Sequence, residues 1–265
     1  MRRPVLLPFG ALLLLAPSFA SAHDVWIEPS ASVVRAGDWL SLSLMLGNHG
    51  NEHRDFKVAG KVAAGDQSLA VIGPDAKRLD LTPSLVDTGY APQEGYWTTR
   101  FQPSKPGLYT AVSRFDKVMG YAPVRDVKCA KACFLVSKSL DRVSRSTPGF
   151  DRPVGAPFEL VPLTNPVVPM GPGEALRVRV LYRGKPMAGV RVGFVPRGAE
   201  AKGGLDPAYE KTTGADGTVR MTLREANAYL VAAHWTDQEA KGEGYASVHY
   251  SATLFVIVPG VCPCC

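Results

Sequence analysis

Beyond its first twenty residues the chain lacks any apolar run long enough to cross a membrane. The one marked run, Ala11-Leu12-Leu13-Leu14-Leu15-Ala16, is too short for a span. The mature chain is therefore expected to carry no transmembrane segment. Charge is not gathered into blocks: 30 basic and 24 acidic residues are scattered, for a formal charge of +6. With no nucleic-acid motif beside it, that balance excludes a nucleic-acid partner and fits a soluble exported protein. No serine nucleophile elbow, phosphate loop or HExxH is present. No pair of carboxylates stands at a spacing that implies acid–base work, so the chain is not expected to be an enzyme. It also lacks a convincing amphipathic helix of normal length, which excludes an α/β fold.

What is present begins with an export signal. Arg2 and Arg3 precede the apolar run, and Ala20-Ser21-Ala22 forms a small-x-small cleavage site. Residues 1–22 are thus expected to be a signal peptide, and a periplasmic or secreted protein is expected to begin at His23. A terminal histidine offers one metal ion two nitrogens, its amine and its imidazole. Trp26 and Ile27 should anchor the first strand within a few residues of that terminus.

The mature chain reads as strands. Leu40-Ser41-Leu42-Ser43-Leu44-Met45-Leu46 alternates with period two, as do Leu176-Arg177-Val178-Arg179-Val180 and Val190-Arg191-Val192-Gly193-Phe194-Val195. The run 248–258 is long enough to close a sheet. The 26 glycines and 22 prolines punctuate these runs, which predicts an all-β chain of two sandwich domains. The expected boundaries are 23–140 for the first, 141–156 for a polar linker, 157–258 for the second and 259–265 for a cysteine-rich tail. Tyr109 and Tyr229 follow turn phrases and start strands, as in the tyrosine corner of immunoglobulin-like sandwiches. Asp216-Gly217 predicts a hairpin turn. The string from Gly184 to Val219 resembles the small sandwich domains of the carboxypeptidase regulatory type, which implies a structural module in that half.

Five cysteines fall into two groups, Cys129 with Cys133, and Cys262, Cys264 and Cys265. In an oxidising compartment, disulfides are the first expectation, with one thiol left over. The tail could instead bind a soft metal such as Cu(I) or Zn(II).

Histidine is scarce, at five residues. His49 and His53 lie in the polar stretch Gly47-Asn48-His49-Gly50-Asn51-Glu52-His53-Arg54-Asp55, read as a loop. Neutral imidazoles beside carboxylates can ligate Ni(II), Cu(II), Co(II) or Zn(II). His23 with its amine could join one of these histidines in an amino-terminal brace, a feature also found in secreted copper-binding sandwiches. Asp24 could add a carboxylate or orient a ligand from behind. His234 closes a strand, where loops converge. His249, on the final strand, reads as a structural histidine. The candidate metal ligands are thus His23, Asp24, His49, His53 and His234.

Ala22-His23-Asp24-Val25-Trp26-Ile27-Glu28-Pro29, Lys138-Ser139-Leu140, Pro157-Phe158-Glu159-Leu160-Val161-Pro162-Leu163-Thr164-Asn165-Pro166, Val180-Leu181-Tyr182-Arg183-Gly184-Lys185-Pro186, Ala215-Asp216-Gly217 and Ser251-Ala252-Thr253-Leu254-Phe255-Val256 follow one another in order. In these phrases the chain resembles a bacterial family of periplasmic domains of unknown function, related to the NikM-type component of nickel and cobalt uptake. The resemblance implies a secreted β-rich protein near metal handling. The cysteines fall outside it. The expected role is a periplasmic accessory protein that binds nickel, cobalt or copper for uptake or homeostasis, with an envelope metal transporter or receptor as partner. The alternative is a non-catalytic module that docks onto such a partner with no metal role.

Overall fold

A computed structural model describes residues 23–47, 64–89, 95–199 and 205–261. The expected signal peptide, His49, His53 and the tail cysteines Cys262, Cys264 and Cys265 lie outside the described residues.

The protein is all-β, as its alternating runs and frequent turn residues predict. Among the described residues the only helical turns are two short 3-10 segments, Ala64–Asp66 and Thr82–Ser84. The first half supplies β1 (Asp24–Pro29), β2 (Val33–Arg35), β3 (Leu40–Gly47), β4 (Gln67–Ile72), β5 (Arg78–Asp80), β6 (Val86–Asp87), β7 (Trp97–Phe101), β8 (Gly107–Val118) and β9 (Val124–Ser137). The second supplies β10 (Phe158–Pro162), β11 (Ala175–Tyr182), β12 (Lys185–Pro186), β13 (Arg191–Pro196), β14 (Glu210–Thr212), β15 (Thr218–Thr222), β16 (Asn227–Asp237) and β17 (Ser247–Val258).

These strands form three sheets. A small sheet of the first half runs β1-β3-β7-β6, and a small sheet of the second runs β10-β11-β12 with β15 also on β11. The third is a long sheet in the order β14-β13-β16-β17-β9-β8-β4-β5, with β2 on the far end of β9. The two halves meet inside it, where β17 pairs with β9 in parallel, Ser247 with Val124 through Phe255 with Ala132.

That pairing explains why β9 and β17 do not alternate in polarity. Both are covered on both faces, the usual condition for parallel strands. On β9, Ala130, Ala132, Phe134 and Val136 join the first core with Trp26, Ile27, Leu42 and Leu44. Its other face carries Cys133 and Leu135, which pack on Val167 and Val168. On β17, Phe255 faces the first core, while Val248, Tyr250, Ala252, Leu254 and Val256 face the second with Phe158, Leu160, Val178 and Val180. The small sheets thus lie against opposite faces of the long sheet, giving two offset sandwiches. Full burial of a side chain such as Leu44 or Leu254 stabilises by about 1.5–3 kcal/mol.

Both tyrosine corners are present. The Tyr109 hydroxyl donates to the Lys105 carbonyl at 2.9 Å, and the Tyr229 hydroxyl to the Glu225 carbonyl at 3.4 Å. The Asp216-Gly217 turn differs from expectation. It does not close a hairpin, because β14 pairs with β13 in the long sheet while β15 pairs with β11 in the small one. The turn carries the chain between layers, and Gly217 at φ +71° brings its backbone against β11 and Met187. A Cβ there would fall 2.8 Å from the Met187 nitrogen.

A polar face beside His23

At one end of the first sandwich the core gives way to polar side chains. Trp26 and Ile27, 1% and 0% exposed, fix β1 as expected. Asp24 pairs with Gly47 at the end of β1–β3, and its side chain reaches across to the long sheet. Register places one row there on successive strands: Gln67, Phe115, Lys128, Ser251 and His234. The next row on the same face, two residues on, holds Lys117, Asp126, His249 and Thr236.

Asp24 is the hub of the first row. Its Oδ1 accepts the Ser251 hydroxyl at 3.0 Å and lies 2.8 Å from His234 Nε2. Lys128 Nζ donates to the His23 carbonyl at 3.5 Å and stands 3.5 Å from Asp126 Oδ2. His249 Nδ1 lies 4.0 Å from Asp126 Oδ1. The result is two carboxylate–histidine couples, Asp24 with His234 and Asp126 with His249, with Lys128 between them. The carboxylates are buried, whereas the imidazole side chains are 47% and 37% exposed.

The electrostatics follow. Burial pushes the Asp24 carboxyl up, but the charge and hydrogen bond of His234, with Lys128 and Ser251, outweigh it and hold it below the usual range. The Asp24 charge raises the His234 imidazole against the opposing effect of burial. The Asp24–His234 couple presents an oriented imidazole at the surface, the arrangement in which a carboxylate fixes one ring nitrogen and leaves the other for a metal, whereas His249 stands beside Asp126 at ion-pair range without a hydrogen bond.

Of the candidates read from sequence, the structure brings Asp24 and His234 together, one residue from His23. Among the described residues, no three His, Cys, Asp or Glu side chains are gathered closely enough to hold a metal ion. Sequence reasoning missed Asp126, Lys128 and Ser251 and read His249 as structural. The available signal was charge inside a buried strand: Asp126 and Lys128 are 7% and 9% exposed on β9.

The cysteine expectation needs correction. Cys129 and Cys133 are unpaired and buried. They are four residues apart on one strand and so stand about 13 Å apart, beyond disulfide reach. Desolvation pushes both thiols up to about 11.

The model of a domain of unknown function, DUF4198, matches residues 20–237. The chain belongs to the DUF4198 family. No curated protein matches it in sequence. Among solved structures, the D0-D1 domain of intimin is similar at 11% identity and a TM-score of 0.25, over 87% of this chain and 97% of that one. The mouse nectin-like molecule 4 ectodomain is similar at 10% identity and a TM-score of 0.22, over 90% of this chain and 65% of that one. A DUF4785 family protein from Legionella pneumophila is similar at 11% identity and a TM-score of 0.27, over 78% of this chain and 52% of that one. The chain thus spans about two thirds of the nectin-like ectodomain and about half of the Legionella protein.

Proposed function

We propose that this DUF4198 member is a periplasmic accessory protein that captures a divalent transition metal, nickel, cobalt or copper, and passes it to an envelope transporter or receptor. The observation that carries the proposal is the half-exposed His234 imidazole held by buried Asp24, one residue from His23. A mature terminus at His23 would add an amine and a second imidazole. Nitrogen donors of this kind suit the later first-row ions. The ion is cargo in this reading, and no residue has a catalytic role. The resemblance of its sequence phrases to relatives of the NikM-type component is a second support for this reading.

The test is titration of protein beginning at His23 with Ni(II), Co(II) and Cu(II) in a calorimeter. Binding tighter than about 1 µM, weakened by His234→Ala or by one residue added before His23, supports the proposal. Binding weaker than that for all three metals refutes it. Capture of an envelope partner that ignores chelator would then favour the docking module.

A further inference from the structure

We infer that His234 and His249 form a cross-strand pair of imidazole ligands for one divalent transition ion. The inference rests on the metal-binding reading of this face, but it does not need the amino terminus. His234 pairs with Ser251 and Thr236 with His249 on β16 and β17, so the histidines are diagonal neighbours on one face. Such neighbours are about 7–8 Å apart, within reach of long side chains. Two imidazoles sharing an ion at about 2.0–2.1 Å can converge across that gap.

The surroundings favour a cation. Asp24 and Asp126 contribute two negative charges and Lys128 one positive, leaving one net negative charge behind the rings. Asp24 faces His234 Nε2, which leaves Nδ1 for the ion; Asp126 faces His249 Nδ1, which leaves Nε2. His234 therefore has a hydrogen-bonded carboxylate behind it, and His249 has one at ion-pair range, 4.0 Å from its Nδ1. Both rings are partly exposed, so an ion can enter from solvent. Asp126 would act on the ion through its charge, without touching it.

The experiment uses Cu(II) and Ni(II) chlorides with the protein beginning at His23. The comparison set is H234Q, H249Q, D126N and the protein extended by one residue before His23. Calorimetry gives affinity, and electron paramagnetic resonance of the Cu(II) form gives the number of bound nitrogens. The expected result is loss of one imidazole nitrogen in each glutamine variant. D126N, which removes a negative charge beside the site, should bind more weakly with the nitrogen count unchanged. The extended chain should keep both imidazoles. Unchanged affinity and nitrogen count in H249Q, with binding lost on extension, would overturn the pair and leave the amino-terminal brace standing. No binding tighter than about 1 µM in any form would overturn both readings. Urea midpoints check that the variants fold. Should H249Q fail to fold, the wild-type histidine resonances decide: paramagnetic Cu(II) at low stoichiometry should broaden His234 and His249 together, and an unaffected His249 refutes the pair.

Discussion

Replacing Lys131 by methionine should destabilise the protein by about 3 kcal/mol. Lys131 and Glu159 are among its most deeply buried charges, with side chains 2% and 1% exposed. Lys131 Nζ donates to the Glu159 carboxylate and to the Leu160 carbonyl, the latter at 2.9 Å. Glu159 also accepts the backbone N–H groups of Val154 at 2.9 Å and Gly155 at 3.1 Å. Methionine keeps most of the lysine volume, so the change isolates the charge. Removing one member of a buried pair costs about 3–5 kcal/mol, because the other charge stays desolvated without its partner. In K131M the carboxylate keeps two backbone donors, which places the cost at the lower end. Glu159→Leu is harsher: it strands the ammonium and leaves the Val154 and Gly155 donors unmade, at about 1–3 kcal/mol each. It should cost about 5 kcal/mol or more. The double variant K131M/E159L removes both charges and should be more stable than E159L alone. Equilibrium unfolding in urea, followed by tryptophan fluorescence and extrapolated linearly, gives all three values. K131M within about 1 kcal/mol of wild type at unchanged m, or E159L milder than K131M, would refute the reasoning.

Metal-free protein should show a pH-dependent contribution from Asp24 and His234. The Asp24 carboxyl is depressed, so its contribution is lost as pH falls through its folded value, below the unfolded value of about 3.9. The His234 imidazole is raised, so its contribution is full below about 6.5 and lost as pH rises through its folded value. The pair therefore stabilises most between about pH 4 and 6.5. With the ring half exposed, its size is about 0.2–1 kcal/mol. Urea midpoints between pH 5 and 9 should fall less in H234A than in wild type; equal slopes would contradict this. Tyr109→Phe and Tyr229→Phe should each cost about 0.5–1.5 kcal/mol, the first losing its bond to the Lys105 carbonyl and the second its bonds to the Glu225 carbonyl and N–H; thermal melts of the two variants check this, and an unchanged midpoint in either would contradict it. In C262S/C264S/C265S protein, Cys129 and Cys133 should resist maleimide until urea is added, since both thiols are buried and pushed up to about 11. Rapid native labelling would show that the face of β9 under residues 154–168 opens.

The strands with one wet face were legible in the sequence, because period-two alternation records a half-buried surface directly. Leu40-Ser41-Leu42-Ser43-Leu44 and Leu176-Arg177-Val178-Arg179-Val180 became β3 and β11 on that signal. The tyrosine corners were legible for a similar reason, since a turn phrase and a strand-starting ring lie four residues apart. β9 and β17 carried no such record. A strand covered on both faces loses the alternation, since on β9 the charged residues Asp126, Lys128 and Lys131 are buried along with the apolar ones, and nothing local in it names its neighbour. Their pairing joins residues more than a hundred positions apart and lies in the middle of the long sheet.

The polar face depends on the same pairing. His234 was expected at a strand end but lies inside β16, which runs on to Asp237, and Asp126, Lys128 and His249 become neighbours only through the β9–β17 register. Slipping that register by one residue would turn Ser251 and His249 into the second core and Tyr250 toward Asp24. The apolar packing of Val248, Tyr250, Ala252 and Leu254 on one face of β17 therefore fixes where Ser251 and His249 stand on the other. In this molecule the second core sets the geometry of a polar face built largely from the first half.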